Sequence, residues 1–150
     1  MIRNDSEHSK AVARIQAEND RIEAMRKSLV AEGLKPHEIK RALDPLISFH
    51  LQLVEEVEAY ESLQRGEFGE FTNLKGIGRL LISLRIYQGL SQRDFAAKIG
   101  VHESQVSRDE RNEYHGITVG RVVMILDILG ATVSSTVDVP LPPDPGRIAV

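Results

Sequence analysis

The sequence predicts an all-α chain: a long N-terminal helical hairpin, then a compact bundle of short helices, closed by a short C-terminal β-strand. Apolar residues recur at three- and four-residue spacings through most of the first 130 positions, the period of a helix with one buried face. Glycines and capping residues interrupt that pattern at short intervals, so the later helices must be short. Only at residues 131–139 does the period fall to two, the signature of a half-buried strand.

Composition bounds the function. A chain of 150 residues suits one domain, or a small domain with an extension, and excludes large two-domain enzymes. The absence of cysteine removes disulfides, thiolate zinc sites, iron–sulfur clusters and cysteine nucleophiles. Apolar runs are short and the N-terminus carries Arg3, Asp5, Glu7 and Lys10, so neither a signal peptide nor a membrane span is expected, and a soluble cytoplasmic protein is. With 19 Lys+Arg against 22 Asp+Glu, bulk positive charge cannot hold nucleic acid, and any DNA binding must come from a local surface.

Three regions follow: residues 1–66 as a helical region for oligomerisation or partner binding, 67–130 as the bundle, and 131–150 as strand and tail. In the first, Val12, Ile15, Asn19, Ile22, Arg26 and Leu29 form one stripe of a long helix, with Asn19 and Arg26 as polar interruptions. Both a coiled-coil dimer and a hairpin onto the chain's own second helix are open. Gly33 stops the helix, Pro36 starts a short one through Leu43, and Asp44-Pro45 repeats the start signal. Leu46, Phe49, Leu53, Val57, Tyr60 and Leu63 then share a face, widened by Ile47, Leu51 and Val54, up to Gly66. Glu55, Glu56, Glu58 and Glu61 read as a solvated face.

In the bundle, Asn73 is placed to cap a helix reaching Gln88 before Gly89, and Ser91 with Asp94 forms a capping box for a helix ending at Gly100. His102 opens a helix to about Arg111, and Thr118 caps one closed by Gly130. In the last region Ala131, Val133, Val137 and Val139 alternate with Thr132, Ser134, Thr136 and Asp138; Pro140 ends the strand, and a loose tail follows from Leu141.

The stretch HESQVSRDERN, 102–112, has a single aliphatic residue, Val106, although it sits between apolar helices. A helix this polar either lies solvated or presents its face to a polar partner, and duplex DNA is one: Ser, Gln and Arg match base-edge groups in the major groove. Ser104, Ser107, Arg108 and Arg111 share a face by spacing.

The segment LRIYQGLSQRDFAAKIGVHESQVSRDE resembles the helix-turn-helix of Cro/CI, or XRE, family regulators. The resemblance implies a five-helix, lambda repressor-like DNA-binding bundle. Phe95, Ala96, Ile99, Gly100, Val101 and Val106 would be its structural core, with Ala96 small where two helices cross and Gly100 at the tight turn. It also implies that Gln92 contacts DNA backbone, that Glu103, Ser104 and Arg108 face base edges, and that Arg85 and Glu110 form a structural ion pair. With His102 near phosphate, and Gln105, Ser107 and Arg111 on the same helix, these make the candidate DNA-binding set. Two departures stand out: Glu103 would repel phosphates unless it accepts from a cytosine amino group, and Asp109 occupies a usually apolar place and needs solvent, a partner or a compensating arginine. The run SRDERNEYHGI, 107–117, is similar to HigA-type antitoxins, a subgroup of that family.

The expected function is therefore sequence-specific double-stranded DNA binding by a homodimeric transcription regulator, a repressor reading its operator with residues 102–111. The strand is one candidate dimer element. The alternatives are an antitoxin that neutralises a toxin through residues 1–66 and autoregulates its operon, and an adaptor that does not bind DNA. No enzyme activity, metal or cofactor is expected. The histidines lack metal-ligand spacing, with His50 and His115 read as ordinary surface or satisfied positions; Gly76-Ile77-Gly78 lacks a preceding strand and reads as a helix start, and no nucleophile elbow occurs.

Overall fold

Six helices make up the computed structural model, which describes residues 1–140: α1 Asp5–Ala31, α2 Pro36–Gln64, α3 Ile77–Tyr87, α4 Gln92–Ile99, α5 Glu103–Arg111 and α6 Val119–Leu129. The tail reading from Leu141 onward lies outside the described residues. No helix among the described residues is long and apolar enough to cross a membrane.

Helices α1 and α2 pack antiparallel along most of their length, so the hairpin closes onto the chain's own second helix. Asn4 caps α1 by accepting the Glu7 amide at 2.8 Å. Beyond Ala31, Gly33 takes φ +82° and the Leu34 amide reaches back to the Leu29 carbonyl, which turns the chain. The expected break at Asp44-Pro45 does not occur: α2 runs unbroken from Pro36 to Gln64. Pro45 forfeits one amide, but Ile39, Leu43, Leu46, His50, Leu53, Val57 and Tyr60 keep an uninterrupted alternation of four and three across it. Packing that seam on α1 outweighs the lost bond. On α1 Ala11 and Ile22 are buried and Ile15 half-buried; Asn19, Arg26 and Val12 are exposed. His50 was read as ordinary, yet its Nδ1 is buried in the seam without a partner.

Residues 67–130 hold four helices, not five. No helix precedes α3, because residues 67–76 carry Gly69 and Gly76 and put Asn73 and Leu74 in left-handed backbone at φ 53° and 59°, and none follows α6 among the described residues. For the same reason Asn73 caps nothing, and α3 begins at Ile77 with Gly76 as its cap. The strand expected after Gly130 is also absent: residues 131–140 form no regular structure, and Val133, Val137 and Val139 are exposed. A strand needs a neighbour to satisfy its backbone, and the described chain offers no extended segment to pair with.

One core joins the parts. Ile2, Ala11, Val57 and Tyr60 from the N-terminal region are continuous with Leu81, Ile82, Phe95, Val106 and Ile125 of the later helices. Met1 adds an ammonium–carboxylate contact to Glu56 at 3.3 Å.

Candidate nucleic-acid interface

Helices α4 and α5 are joined by Gly100-Val101-His102, and each boundary has a local cause. Ser91 accepts the Asp94 amide at 3.0 Å, and its hydroxyl donates to the Asp94 carboxylate at 2.7 Å. Gly100, at φ +71°, ends α4 in a conformation any β-carbon would strain. His102 caps α5: its Nδ1 accepts the Ser104 amide at 3.2 Å, and the Ser104 hydroxyl lies 2.9 Å from the same nitrogen. The turn is therefore closed by capping at both ends, fixing the angle at which α5 leaves α4.

Phe95, Ala96, Ile99 and Val106 are buried between these helices and the rest of the core, and Val101 is half-buried. Beneath α5, Arg85 of α3 and Glu110 form an ion pair that is 2% and 0% exposed in its side chains. Glu110 accepts from Arg85 Nη2 at 2.8 Å and from Gln92 Nε2 at 2.7 Å. Arg85 also donates to the Leu90 carbonyl at 2.7 Å and to the Arg3 carbonyl at 2.9 Å. A buried charge pair costs desolvation, which bidentate geometry and filled lone pairs offset. The network ties α3, α4, α5 and the N-terminal segment to one guanidinium.

The outer face of α5 is different in kind. Glu103, Ser104, Arg108 and Arg111 are exposed, and among the described residues neither arginine is engaged in an ion pair. Gln105 and Ser107 are half-buried, and Gln105 donates to Asp109 at 2.8 Å. Gln92 is half-buried and held by Glu110. The candidate set thus divides: Glu103, Ser104, Arg108 and Arg111 are presented outward with the capping His102, whereas Gln92, Gln105 and Ser107 lie at the margin. Exposed Arg93 and Lys98 on α4 add positive charge to the unit. On its other margin, a cleft of about 500 Å³ between the first turns of α1, α4 and α5 is bordered by Asp5, Asp94 and Glu103 together with Arg85 and Gln92.

Asp109 finds the arginine it requires. Arg121 of α6 meets its carboxylate at 2.6 Å, leaving the acid at the α5–α6 contact paired and hydrogen-bonded.

Several structural residues gave less signal in the sequence. After α5 the chain turns through Glu113 and Tyr114, both left-handed at φ 48° and 55°. That strain is held by the Tyr114 amide bonding the Asp109 carbonyl at 2.7 Å, by burial of the Tyr114 ring, and by an Arg79–Glu113 ion pair at 3.1 Å. Burial pushes the Tyr114 phenol well above its ordinary pKa, with the Glu110 and Asp109 charges adding to the effect. Against this turn packs Gly78, where a β-carbon would overlap the Glu113 carbonyl. Gly78 had been read only as part of a helix start; its real constraint is a backbone contact 35 residues away in sequence, which no local pattern encodes. Among the described residues no cluster of three or more His, Asp or Glu side chains is arranged to hold a metal ion.

Residues 81–134 match the helix-turn-helix family model, about a third of the chain, from within α3 to just past α6. The match supports a DNA-binding transcription regulator of the XRE type. Searches of curated proteins and of solved structures returned no match.

Proposed function

We propose that the protein, with residues 81–134 as its helix-turn-helix unit, is a sequence-specific duplex-DNA-binding regulator that represses as a dimer by laying α5 in the major groove. One observation carries the reading: α5 is pinned from below by buried Val106 and Glu110 while Ser104, Arg108 and Arg111 stand outward. A rigid helix with outward arginines is pre-organised for base edges, because little backbone order remains to be imposed on binding. Arg108 is the residue assigned to a guanine edge, Ser104 to a neighbouring base, and Glu103 to a cytosine amino group. His102 and the margin residue Gln92 serve the backbone.

The adaptor reading rests on Glu103, Asp109 and the neutral charge of the bundle. Asp109 is accounted for by Arg121, which leaves Glu103 and that charge balance to support it. A dimer is favoured on energetic grounds, since one unit touches a few base pairs and two recognition helices set about 34 Å, or a multiple of it, apart double the contacts on a palindrome.

Selection of bound sequences from random duplex DNA gives the operator, and titration of Arg108→Ala on it tests the reading. The substitution should cost about 1–3 kcal/mol and relax one operator position. Unchanged affinity and unchanged specificity would overturn it.

A further inference from the structure

The hairpin has a flank that its own fold leaves open. Two antiparallel helices can bury only the seam between them, and residues beside the seam stay on either side. On one side Arg14 covers Phe49, its guanidinium 4.7 Å from the ring centre. On the other, Val12 of α1 and Ile47, Leu51 and Val54 of α2 form an apolar centre; Val12 is 43% and Leu51 52% exposed, and Ile47 and Val54 are half-buried. Helical spacing continues this flank in both directions. Toward the rest of the protein it carries Glu55 and Glu58, Asp5 being turned away onto Tyr60 and Gln64, and toward the tip Arg26, Lys27 and Lys40, with Glu23 and Asp44 leaving the tip at net +1 against −2 at the base. The whole hairpin repeats the asymmetry: residues 21–44 hold 6 basic and 4 acidic groups, residues 1–20 and 45–65 hold 4 and 8.

We propose that this flank binds the same flank of a second copy of the chain, antiparallel, to form a four-helix bundle about a two-fold axis level with residue 49, midway between Lys40 and Glu58. The charge asymmetry selects the direction. A parallel pair sets −2 on −2, whereas an antiparallel pair sets each acidic base against the other's basic tip. A two-fold contact must be self-complementary, and an apolar centre with opposite charges at equal distances on either side is so. The size fits as well. At about 1.5 Å per residue α1 is roughly 40 Å long, and a face two helices wide, about 20 Å, gives a footprint near 800 Å² per partner, the usual value for a stable complex. The two DNA-reading units then stand at opposite ends of the bundle.

This inference shares with the proposed function only the requirement for two copies. DNA titration reads that function and mass reads the hairpin, so either can fail alone. The full chain should sediment at twice its 16.7 kDa. Leu51→Asp, at an exposed site, should weaken the dimer at least tenfold with helicity unchanged. Glu58→Lys should weaken it, and Glu58→Lys with Lys40→Glu should restore it. Val123→Asp, on the exposed face of α6, should leave the mass unaltered. Because the chain has no cysteine, cross-linking reports direction cleanly: a mixture of Lys40→Cys and Glu58→Cys chains should form a disulfide between them, and Lys40→Cys alone should not. Monomeric mass for the unaltered chain, loss of the dimer through Val123→Asp with none through Leu51→Asp, or a Lys40→Cys self cross-link would each overturn the proposal.

Discussion

Replacing Glu110 with leucine tests whether the reading helix is held by the charge beneath it. The carboxylate is fully buried and accepts from Arg85 Nε at 2.5 Å, from Arg85 Nη2 at 2.8 Å and from Gln92 Nε2 at 2.7 Å. Glu110→Leu leaves a guanidinium in the core with only the Leu90 and Arg3 carbonyls as acceptors. An uncompensated buried charge costs about 3–5 kcal/mol, and a lost hydrogen bond from Gln92 about 1 more. Against a total stability of about 5–15 kcal/mol this approaches the threshold of folding. With a urea slope of about 2 kcal/mol/M the midpoint falls by roughly 2–3 M. Arg85→Met combined with Glu110→Leu removes the charge and its counter-charge together, so the double variant should lie within about 2 kcal/mol of the parent, far above the sum of the singles. The assay is urea unfolding followed by circular dichroism, completed as a double-mutant cycle. A single variant that loses less than about 1 kcal/mol, or a double as unstable as the two singles added, would refute the reasoning.

Other perturbations follow from the same structure. Gly78→Ala should destabilise by about 2–3 kcal/mol in thermal or urea unfolding, because the β-carbon can be accommodated only by moving α3 off the Glu113 carbonyl. His50→Leu should stabilise by about 1 kcal/mol, since it removes a buried nitrogen with no partner from an otherwise apolar seam. Tyr60 is pushed up to about 12, first by burial and then by its hydrogen bond to and the charge of Asp5. Its folded pKa lies above the unfolded value near 10, so its contribution is complete below pH 10 and is lost as pH rises through 12, on the order of 2 kcal/mol in all. Unfolding free energy measured across that window should fall, and Tyr60→Phe should flatten the part due to this residue.

What could be read in the sequence was whatever local chemistry decides. Ser91, Gly100, His102, Thr118 and Gly130 each act within a turn of their own position, and the helix boundaries they announce are those observed. Pro45 misled because a residue-level rule was weighed without the register around it: Leu43 and Leu46 keep the seam in phase, so the helix had reason to continue. The stripe expected on α1 is met at Ile22, buried, and at Ile15 and Leu29, half-buried, while Val12, Asn19 and Arg26 face outward and Ala11 takes the place next to Val12. The strand failed for the opposite reason, since a period of two records which side chains could face inward but supplies no neighbour. Asp109 stood out as an acid in want of an arginine, yet Arg121, at i+12, could not be chosen from the other arginines without the fold.

The bond from Arg85 to the Arg3 carbonyl bears on how the chain can be cut and grafted. Residues 81–134 look like a cassette, and a shortened chain starting near residue 67 is the natural fragment to make. Such a fragment would lose Ile2 and Tyr60 from its core and one acceptor from its buried guanidinium. Transplanted alone, the reading unit would arrive with a charged residue opened to water at its centre. A chimaera that keeps the first turn of α1 and the last turns of α2 would carry that centre intact.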